Sequence, residues 1–573
     1  MRAVRSGSAT GGGRVGGGPP PGNVGTPPAR AGSGSGLRTA CGIVSAGLAV
    51  GVAELVAVPV GSGSAPLTAL GGSVVDHTPD AVRERVIGIV GTNDKLVLFI
   101  LMVAVAVIVA GLAGRIEREE RPLGSALLGI FGVVAAFVAV TRPAASWTWV
   151  LPSVIGVALA IVVLRWLIRR VDAYEAGRAD VVAASRPEPP ADSASGPDTA
   201  ADRGATGSGT GTKRPQDDIA RRGVLFGIIS VGIVAAAAEV AGRIIGSALH
   251  SVSAERAGVQ LPAPPTPAPP IDPASDLRIP GLTPYLTANS DFYRIDTALI
   301  VPQVSAETWS LRVHGMVDRE IHLSYADLEA RTQIERLVTL TCVSNPVGGD
   351  LIGNARWLGY PLAELLAEAG PHPDADMVLS RSVDGFTAGS PLATVTDGRD
   401  AMLAIGMNGE PLPIEHGYPV RLVVPGLYGY VSATKWVTEI EITRFDRARA
   451  YWTERGWSER GPIKTGTRID TPHDGANPKS GTVTVAGVAW AQHRGINAVQ
   501  VQIDDGPWQP ARLAADPSID TWRQWAYDWP TTSGTHTIRA RATDGTGQVQ
   551  TSEQADVVPD GASGYPSITV RVG

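Results

Sequence analysis

The sequence predicts a multidomain protein: five transmembrane α-helices, then an α+β domain, then a C-terminal β-sandwich of immunoglobulin type. Three observations predict it. Five apolar stretches before residue 250 are each long enough to cross a hydrocarbon core of ~30 Å. From about residue 279 to about residue 450, strand and helix signals alternate. Beyond that, only strands and turn signals remain. The 573 residues carry a net charge of −6 and no basic stripe with interleaved aromatics, which argues against nucleic acid as a partner. Two cysteines exclude a disulfide scaffold. The sequence has no CxxC, CxxCH or HExxH, so zinc, c-type haem and iron–sulfur sites lack support.

Residues 1–36 are Gly, Pro, Ser and Thr with scattered arginines, a composition that buries no core and reads as a disordered tail. Residues 37–170 hold four spans: Leu37 to Val60, Leu96 to Gly114, Leu123 to Val140 and Trp147 to Ile168. A short amphipathic helix is expected near Val82 to Val90. Residues 171–220 read as a flexible cytoplasmic linker. Residues 221–249 are the fifth span, opened by Arg221-Arg222; within it Glu239 and Arg243 stand four apart, share a helix face and pair. None of the nine histidines lies inside a span, so no b-type haem is expected there. The arginines of the tail, the Arg115–Arg121 turn and the Arg165–Arg222 stretch assign those segments to the cytoplasm. The chain is therefore expected to be multi-pass in the cell membrane, with everything after about residue 250 outside. Residues 250–278, with the run Leu261 to Pro270, read as a stiff polyproline spacer that holds the next domain off the bilayer.

Residues 279–450 form the α+β domain. Ser324-Tyr-Ala-Asp327 writes a capping box, and Pro361 and Gly370 bracket a second helix. Val420–Val424 and Val437–Ile442 read as strands. The β-branched run from Arg336 ends on Cys342 and breaks at Ser344, Asn345, Pro346 and two glycines, which places a thiol at a sheet edge. Taken alone, a lone cysteine is more often inert packing than a reactive thiolate. Residues 451–573 carry strands at Thr482–Trp490, Val499–Ile503, Thr535–Ala542 and Ser567–Val572, with Asp505-Gly506 and Asp544-Gly545 as turns, hence the sandwich.

Five stretches, in order, resemble the sulfite oxidase family of molybdenum enzymes. They are Thr341-Cys342-Val-Ser-Asn345; Gly353-Asn-Ala-Arg-Trp357 with Gly359 and the Leu362–Leu366 helix; His416-Gly-Tyr-Pro-Val-Arg421-Leu-Val-Val-Pro425-Gly426; Ser432-Ala-Thr-Lys435-Trp436; and the sandwich with Val485–Trp490 and Asp504–Trp508. The membrane half is similar to actinobacterial membrane-anchored members. The resemblance implies Mo-molybdopterin, with the metal ligated by Cys342 as a catalytic residue; a soft anionic sulfur suits such a metal. It further implies that Asn289, Tyr293, Ser382, His416, Arg421, Ser432, Thr434 and Lys435 bind the cofactor, Arg421 and Lys435 as cationic donors. Arg294, in Phe292-Tyr293-Arg294, is the catalytic residue expected to face the substrate. The implied reaction is two-electron redox or oxygen-atom transfer on a small molecule, such as a sulfur or nitrogen oxyanion or a sulfoxide. Electrons would pass to or from an external carrier such as a cytochrome, and the sandwich would mediate a homodimer.

The sequence departs from the family where Pro346-Val347 replaces a basic pair, where Ile295-Asp296 replaces Asn–His, and where Val558–Gly564 lacks an arginine. That leaves one cation, Arg294, for a sulfite-like dianion that calls for several. The competing reading is a metal-free membrane sensor or interaction protein that uses the fold as a binding module. Because the resemblance implies cofactor loading in the cytoplasm, Arg221-Arg222 before a moderately apolar stretch reads as a twin-arginine export signal, against the plainer reading of a topology signal. Ser251–Ala254 offers small residues for a peptidase, and the domain is expected to remain tethered.

Overall fold

The computed structural model describes residues 34–79, 82, 94–142, 145–184 and 215–573. Residues 1–33 of the expected tail, nearly all of the Val82–Val90 helix and residues 185–214 of the expected linker lie outside the described residues; the rest of tail and linker is corrected, since the helices Gly34–Val60, Leu151–Ala184 and Pro215–His250 extend the apolar stretches into them.

Five helices among the described residues are long and apolar enough to cross a membrane: Ser35–Val60, Lys95–Ile116, Leu123–Val140, Trp147–Gly177 and Arg222–Gly246. The first packs against the second, fourth and fifth. At one end Arg38 bonds Asp172 and Glu175. At the other end the connections between spans meet the α+β domain. Arg142 Nη1 reaches Asp76 at 2.5 Å, and Arg455 Nη2 donates to the Asp76 carbonyl at 3.0 Å. The connections expected to be extracytoplasmic thus share a side with the domain expected to be extracytoplasmic. Glu239 and Arg243 pair at 2.8 Å, as their spacing requires. One helix was not expected: Pro66–His77, between the first two long apolar helices, which opens with Pro in its first turn.

The α+β domain is built on two five-stranded sheets. One runs β2 (Ile321–Ser324), β1 (Ser310–Gly315), β10 (Val437–Thr443), β5 (Met377–Ser382) and β6 (Thr387–Pro391), antiparallel except for the β1–β10 pair. The other runs β3 (Ile334–Thr341), β4 (Ile352–Pro361), β7 (Met402–Met407) and β8 (Glu410–Pro411), with β9 (Arg421–Val423) also on β7. A single apolar core, including Leu311, Leu337, Trp357, Leu403 and Val437, draws on both sheets. The capping box at Ser324 and Asp327 forms, and the helix Leu362–Ala369 runs from Pro361 to a left-handed Gly370.

The C-terminal region is a sandwich of two four-stranded sheets around one core. The sheets are β11 (Gly466–Thr471), β12 (Thr482–Trp490), β16 (Arg523–Pro530) and β15 (Arg512–Leu513), and β14 (Gln509–Pro510), β13 (Ile496–Ile503), β17 (Gly534–Asp544) and β18 (Ser567–Val572). It braces the strand that leads to Cys342. Gln492 Nε2 donates to the Thr339 carbonyl and to Thr341 Oγ1, and Trp522 N donates to Thr339 Oγ1 at 2.8 Å.

The polyproline stretch is a correction. It is no free spacer: Thr266 bridges to Ile334, Glu335 N donates to the Thr266 carbonyl at 3.1 Å, and Ala268 is buried with its N–H on Glu335 Oε2. Prolines hold the chain extended, so that the Thr266 carbonyl meets the edge of β3 while the Ala268 N–H bonds the Glu335 side chain. Just before it, the helix Ser253–Gly258 is fixed by Arg256 on the carbonyls of Pro411 and Leu412, and by Glu255 on Tyr418 and Ala306 N.

Candidate active site

The ends of strands from both α+β sheets converge on one cleft with about 850 Å³ of open space. Cys342 follows β3, Ser382 closes β5, Arg421 opens β9, and Lys435 and Trp436 precede β10. His416 ends a short turn, and Phe292, Tyr293, Ile295, Asp296 and Thr297 form one wall. The glycine-bearing motifs make this convergence possible. A Cβ on Gly353 would sit 2.7 Å from the Phe292 ring. Gly417, at φ +110°, lies against Arg421 and Lys435, where a side chain would push the two cations apart. Trp357, fully buried, meets Phe292 edge-on at 5.8 Å and lies under the Arg421 guanidinium at 5.1 Å.

Of the residues expected to act, Tyr293, Cys342, Ser382, His416, Arg421 and Lys435 line the cleft. Asn289, Ser432 and Thr434 do not. The Asn289 amide bonds Glu410 and the Met407 carbonyl, the Ser432 hydroxyl bonds the carbonyls of Leu427 and Tyr428, and the Thr434 hydroxyl meets Ser380 at 2.7 Å. These side chains support the walls. Arg294 is also corrected: it does not line the cleft, its side chain is 39 % exposed, and its Nε lies 2.8 Å from Asp296 Oδ2. A carboxylate two residues away captures the guanidinium.

Asp296 is the residue that sequence reasoning missed. It was noted only as a departure from a family pattern, yet its carboxylate, 4 % exposed, accepts from Arg294, from Lys435 Nζ at 2.9 Å and from Lys95 Nζ at 3.0 Å. Lys95 opens the second apolar helix. Burial alone would raise the Asp296 carboxyl, but Lys435, Arg294 and Lys95 outweigh it and hold it well below the usual carboxylate range. Burial pulls the Lys435 ammonium down to about 8, Asp296 opposes this, and Arg421 and Arg294 add to the fall. Burial also lowers Arg421 to about 10, and burial with the nearby Arg421 charge lowers His416 to about 4. The Cys342 thiol is pushed up by burial. Tyr430, Trp452 and Trp457, absent from the sequence reading, complete the opposite wall.

The donor set fits an anionic, metal-bearing pterin. Arg421 is 5 % exposed, and its guanidinium bonds only the backbone carbonyls of His416, Leu422 and Ala433 among the described residues. A buried cation with no carboxylate partner is costly unless an anion joins it. The buried thiol, raised while protonated, loses its proton on binding a metal.

Residues 298–452 match the family described as oxidoreductase molybdopterin binding domain. The chain is 30 % identical over 322 residues to the sulfite oxidase of Gallus gallus, an alignment covering 48 % of this chain and 70 % of that protein. It is 30 % identical over 298 residues to the mitochondrial sulfite oxidase of Homo sapiens, covering 44 % of this chain and 54 % of that one. The chain thus spans about half the length of the mammalian sulfite oxidases it matches. The uncharacterized oxidoreductase YuiH of Bacillus subtilis is 33 % identical over 153 residues, 74 % of its length. Among solved structures, the sulfane dehydrogenase SoxCD from Paracoccus pantotrophus aligns with a TM-score of 0.45 and 23 % identity, over 50 % of this chain and 82 % of that chain.

Proposed function

We propose that this chain, which belongs to the sulfite oxidase family of molybdopterin oxidoreductases, is a membrane-anchored enzyme with its catalytic domain outside the cytoplasm. When bound, Mo-molybdopterin supplies two-electron redox and oxygen-atom transfer. The observation that carries this reading is the convergence of Cys342, Arg421 and Lys435 on one cleft. Cys342 offers the metal a thiolate from the end of a braced strand. Arg421 and Lys435 offer charged donors to the anionic edge of the pterin, and His416, neutral at pH 7, offers a ring N–H or acceptor. Tyr293 stays protonated beside Cys342 and Arg421 as a hydroxyl donor at the substrate side, since burial and the Cys342 charge both raise it.

The substrate is a small molecule. Two carboxylates, Asp296 and Asp384, line the cleft, and Arg294 is committed to one of them. This favours a neutral oxygen-bearing compound such as a sulfoxide over a dianion. The sandwich is read as an immunoglobulin-like dimerisation module, and the electrons are exchanged with a carrier outside this chain.

Elemental analysis of the purified full chain tests the reading. We expect stoichiometric molybdenum in the native protein, and loss of both metal and turnover in Cys342→Ser with the circular dichroism spectrum retained. Arg421→Met should also lose metal. A folded Cys342→Ser protein with native molybdenum content and turnover would refute the assignment. A native protein free of molybdenum when produced with the cofactor would favour the binding-module reading.

A further inference from the structure

Between the helical region and the α+β domain lies a second cavity, with about 1830 Å³ of open space. Asp76, Arg142 and Trp149 border it from the helical side, and Leu299, Ile300 and Tyr451 from the domain. It adjoins the active-site cleft, because Thr297, Asp384 and Phe386 line both. It also adjoins a third, apolar cavity of about 640 Å³, because Thr68, Leu299 and Ile300 line both of those. The apolar cavity is walled by Leu98, Phe99 and Met102, in the first turns of the second apolar helix, where Leu98 and Met102 are half-buried and Met102 lies beside Gly71. The most apolar of the three spaces thus opens, through the more polar junction cavity, toward the redox cleft.

Aromatic rings follow the same course. Phe386 lies 5.8 Å from Tyr451, Tyr451 lies 5.2 Å from Trp452, Trp452 lies 6.1 Å from Trp457, and Trp457 lies 5.9 Å from Tyr430, all between ring centroids. Phe386 and Tyr451 face the junction cavity; Trp452, Trp457 and Tyr430 face the cleft. The junction is a fixed one, clamped by Lys95 on Asp296 and by Arg142, Tyr451 and Arg455 around Asp76.

We propose that the junction cavity binds a lipid-soluble quinone, its isoprenoid tail in the apolar cavity and its ring beside Phe386 and Tyr451. The proposal rests on the molybdopterin reading and names its electron partner. Substrate, water and quinone would give the oxygenated substrate and quinol, the two electrons and two protons released at the cleft reducing the quinone. The reverse reaction takes an oxide and quinol to the reduced substrate, water and quinone. An apolar tail with a flat, uncharged, redox-active head matches an apolar cavity that opens on a more polar one bordered by the Phe386 and Tyr451 rings. Of the arginines in this cavity, Arg142 and Arg381 are paired with Asp76 and Glu439 and Arg455 bonds the carbonyls of Tyr451 and Asp76, which leaves the exposed Arg449 as the cation a phospholipid phosphate would have to use; the phospholipid arm of the test decides between the two occupants.

The test uses the full chain in lipid nanodiscs with a photoreactive azidoquinone carrying a short isoprenoid tail, followed by peptide mapping. Labelling is expected within Leu98–Met102, at Leu299–Ile300, or at Phe386 and Tyr451, competed by excess unlabelled quinone. In Ile300→Trp, which fills the neck from a half-exposed position, labelling should fall at least tenfold with molybdenum content unchanged. Labelling confined to the lipid-facing sides of the helices, labelling insensitive to Ile300→Trp, or a photoreactive phospholipid that occupies the same residues and resists quinone would each overturn the proposal. Molybdenum is measured on the same preparation. Metal without site-specific labelling overturns the quinone site alone; labelling without metal overturns the cofactor reading and the electron exchange with it.

Discussion

Asp296→Asn removes the one carboxylate that three cations share, and its cost can be worked from the site. Lys95 and Arg294 are 35 % and 39 % exposed and return to water when released, so each pair contributes about 0.5 kcal/mol. Lys435 is 10 % exposed and cannot. It already sits near 8, so without Asp296 it escapes by losing its proton rather than by unfolding the domain. That escape costs about 1.4 kcal/mol for each pH unit below 8. The total deficit in the cofactor-free chain is then about 2–3 kcal/mol at pH 7, about 1 kcal/mol at pH 9, where Lys435 is neutral in both proteins, and about 4 kcal/mol at pH 6. The sign follows from linkage. A lysine whose folded value lies below its unfolded value binds more protons when unfolded, so stability rises with pH, and the substitution moves that window down through neutrality. The assay is thermal unfolding of the full chain, native and variant, produced without molybdopterin and read by near-ultraviolet circular dichroism at pH 6, 7 and 9. With cofactor loaded, its anionic edge should hold Lys435 charged and shrink the deficit. A deficit that is constant or grows with pH, or that is the same with and without cofactor, would refute the reasoning.

Two further outcomes are expected. Asp544, fully buried at the end of β17, accepts from Thr465, Arg494, Thr546 and Gln548. Asp544→Asn should destabilise the sandwich by about 3 kcal/mol, the cost of breaking a buried charge pair, in urea unfolding followed by tryptophan fluorescence. Burial opposes this carboxylate, but Thr546 and Arg494 hold it at about 2, so its stabilisation is present at neutral pH and is lost as the pH falls through about 2. Arg221→Lys with Arg222→Lys keeps the charge and so the topology rule; if the pair is an export signal, protease accessibility of the domain in spheroplasts should fall at least tenfold, and unchanged accessibility would leave the pair as a topology signal alone.

Local chemistry was legible in the sequence. The five long apolar helices were readable because such runs of consecutive apolar residues are unfavourable in water, and the helices beginning at Tyr325 and Leu362 because their caps are contiguous with them. The strand ending on Cys342 announced itself through β-branched residues followed by turn formers. Six of the ten candidate site residues face the cleft, those carried by the cysteine, histidine–arginine and lysine–tryptophan motifs among them. What the sequence left undetermined was which side chains meet across long separations. Lys95 and Asp296 are 201 residues apart, and no periodicity links them. Without that pairing Arg294 read as a free cation and Asp296 as a mere departure. The polyproline run read as a spacer because its stiffness is a local property, whereas the unfilled edge of β3 that receives it exists only once the sheet is assembled. The same holds for Tyr430, Trp452 and Trp457. Composition determines that aromatic rings will be buried, and only tertiary packing decides which cavity they face, because burial is non-directional while contact is not.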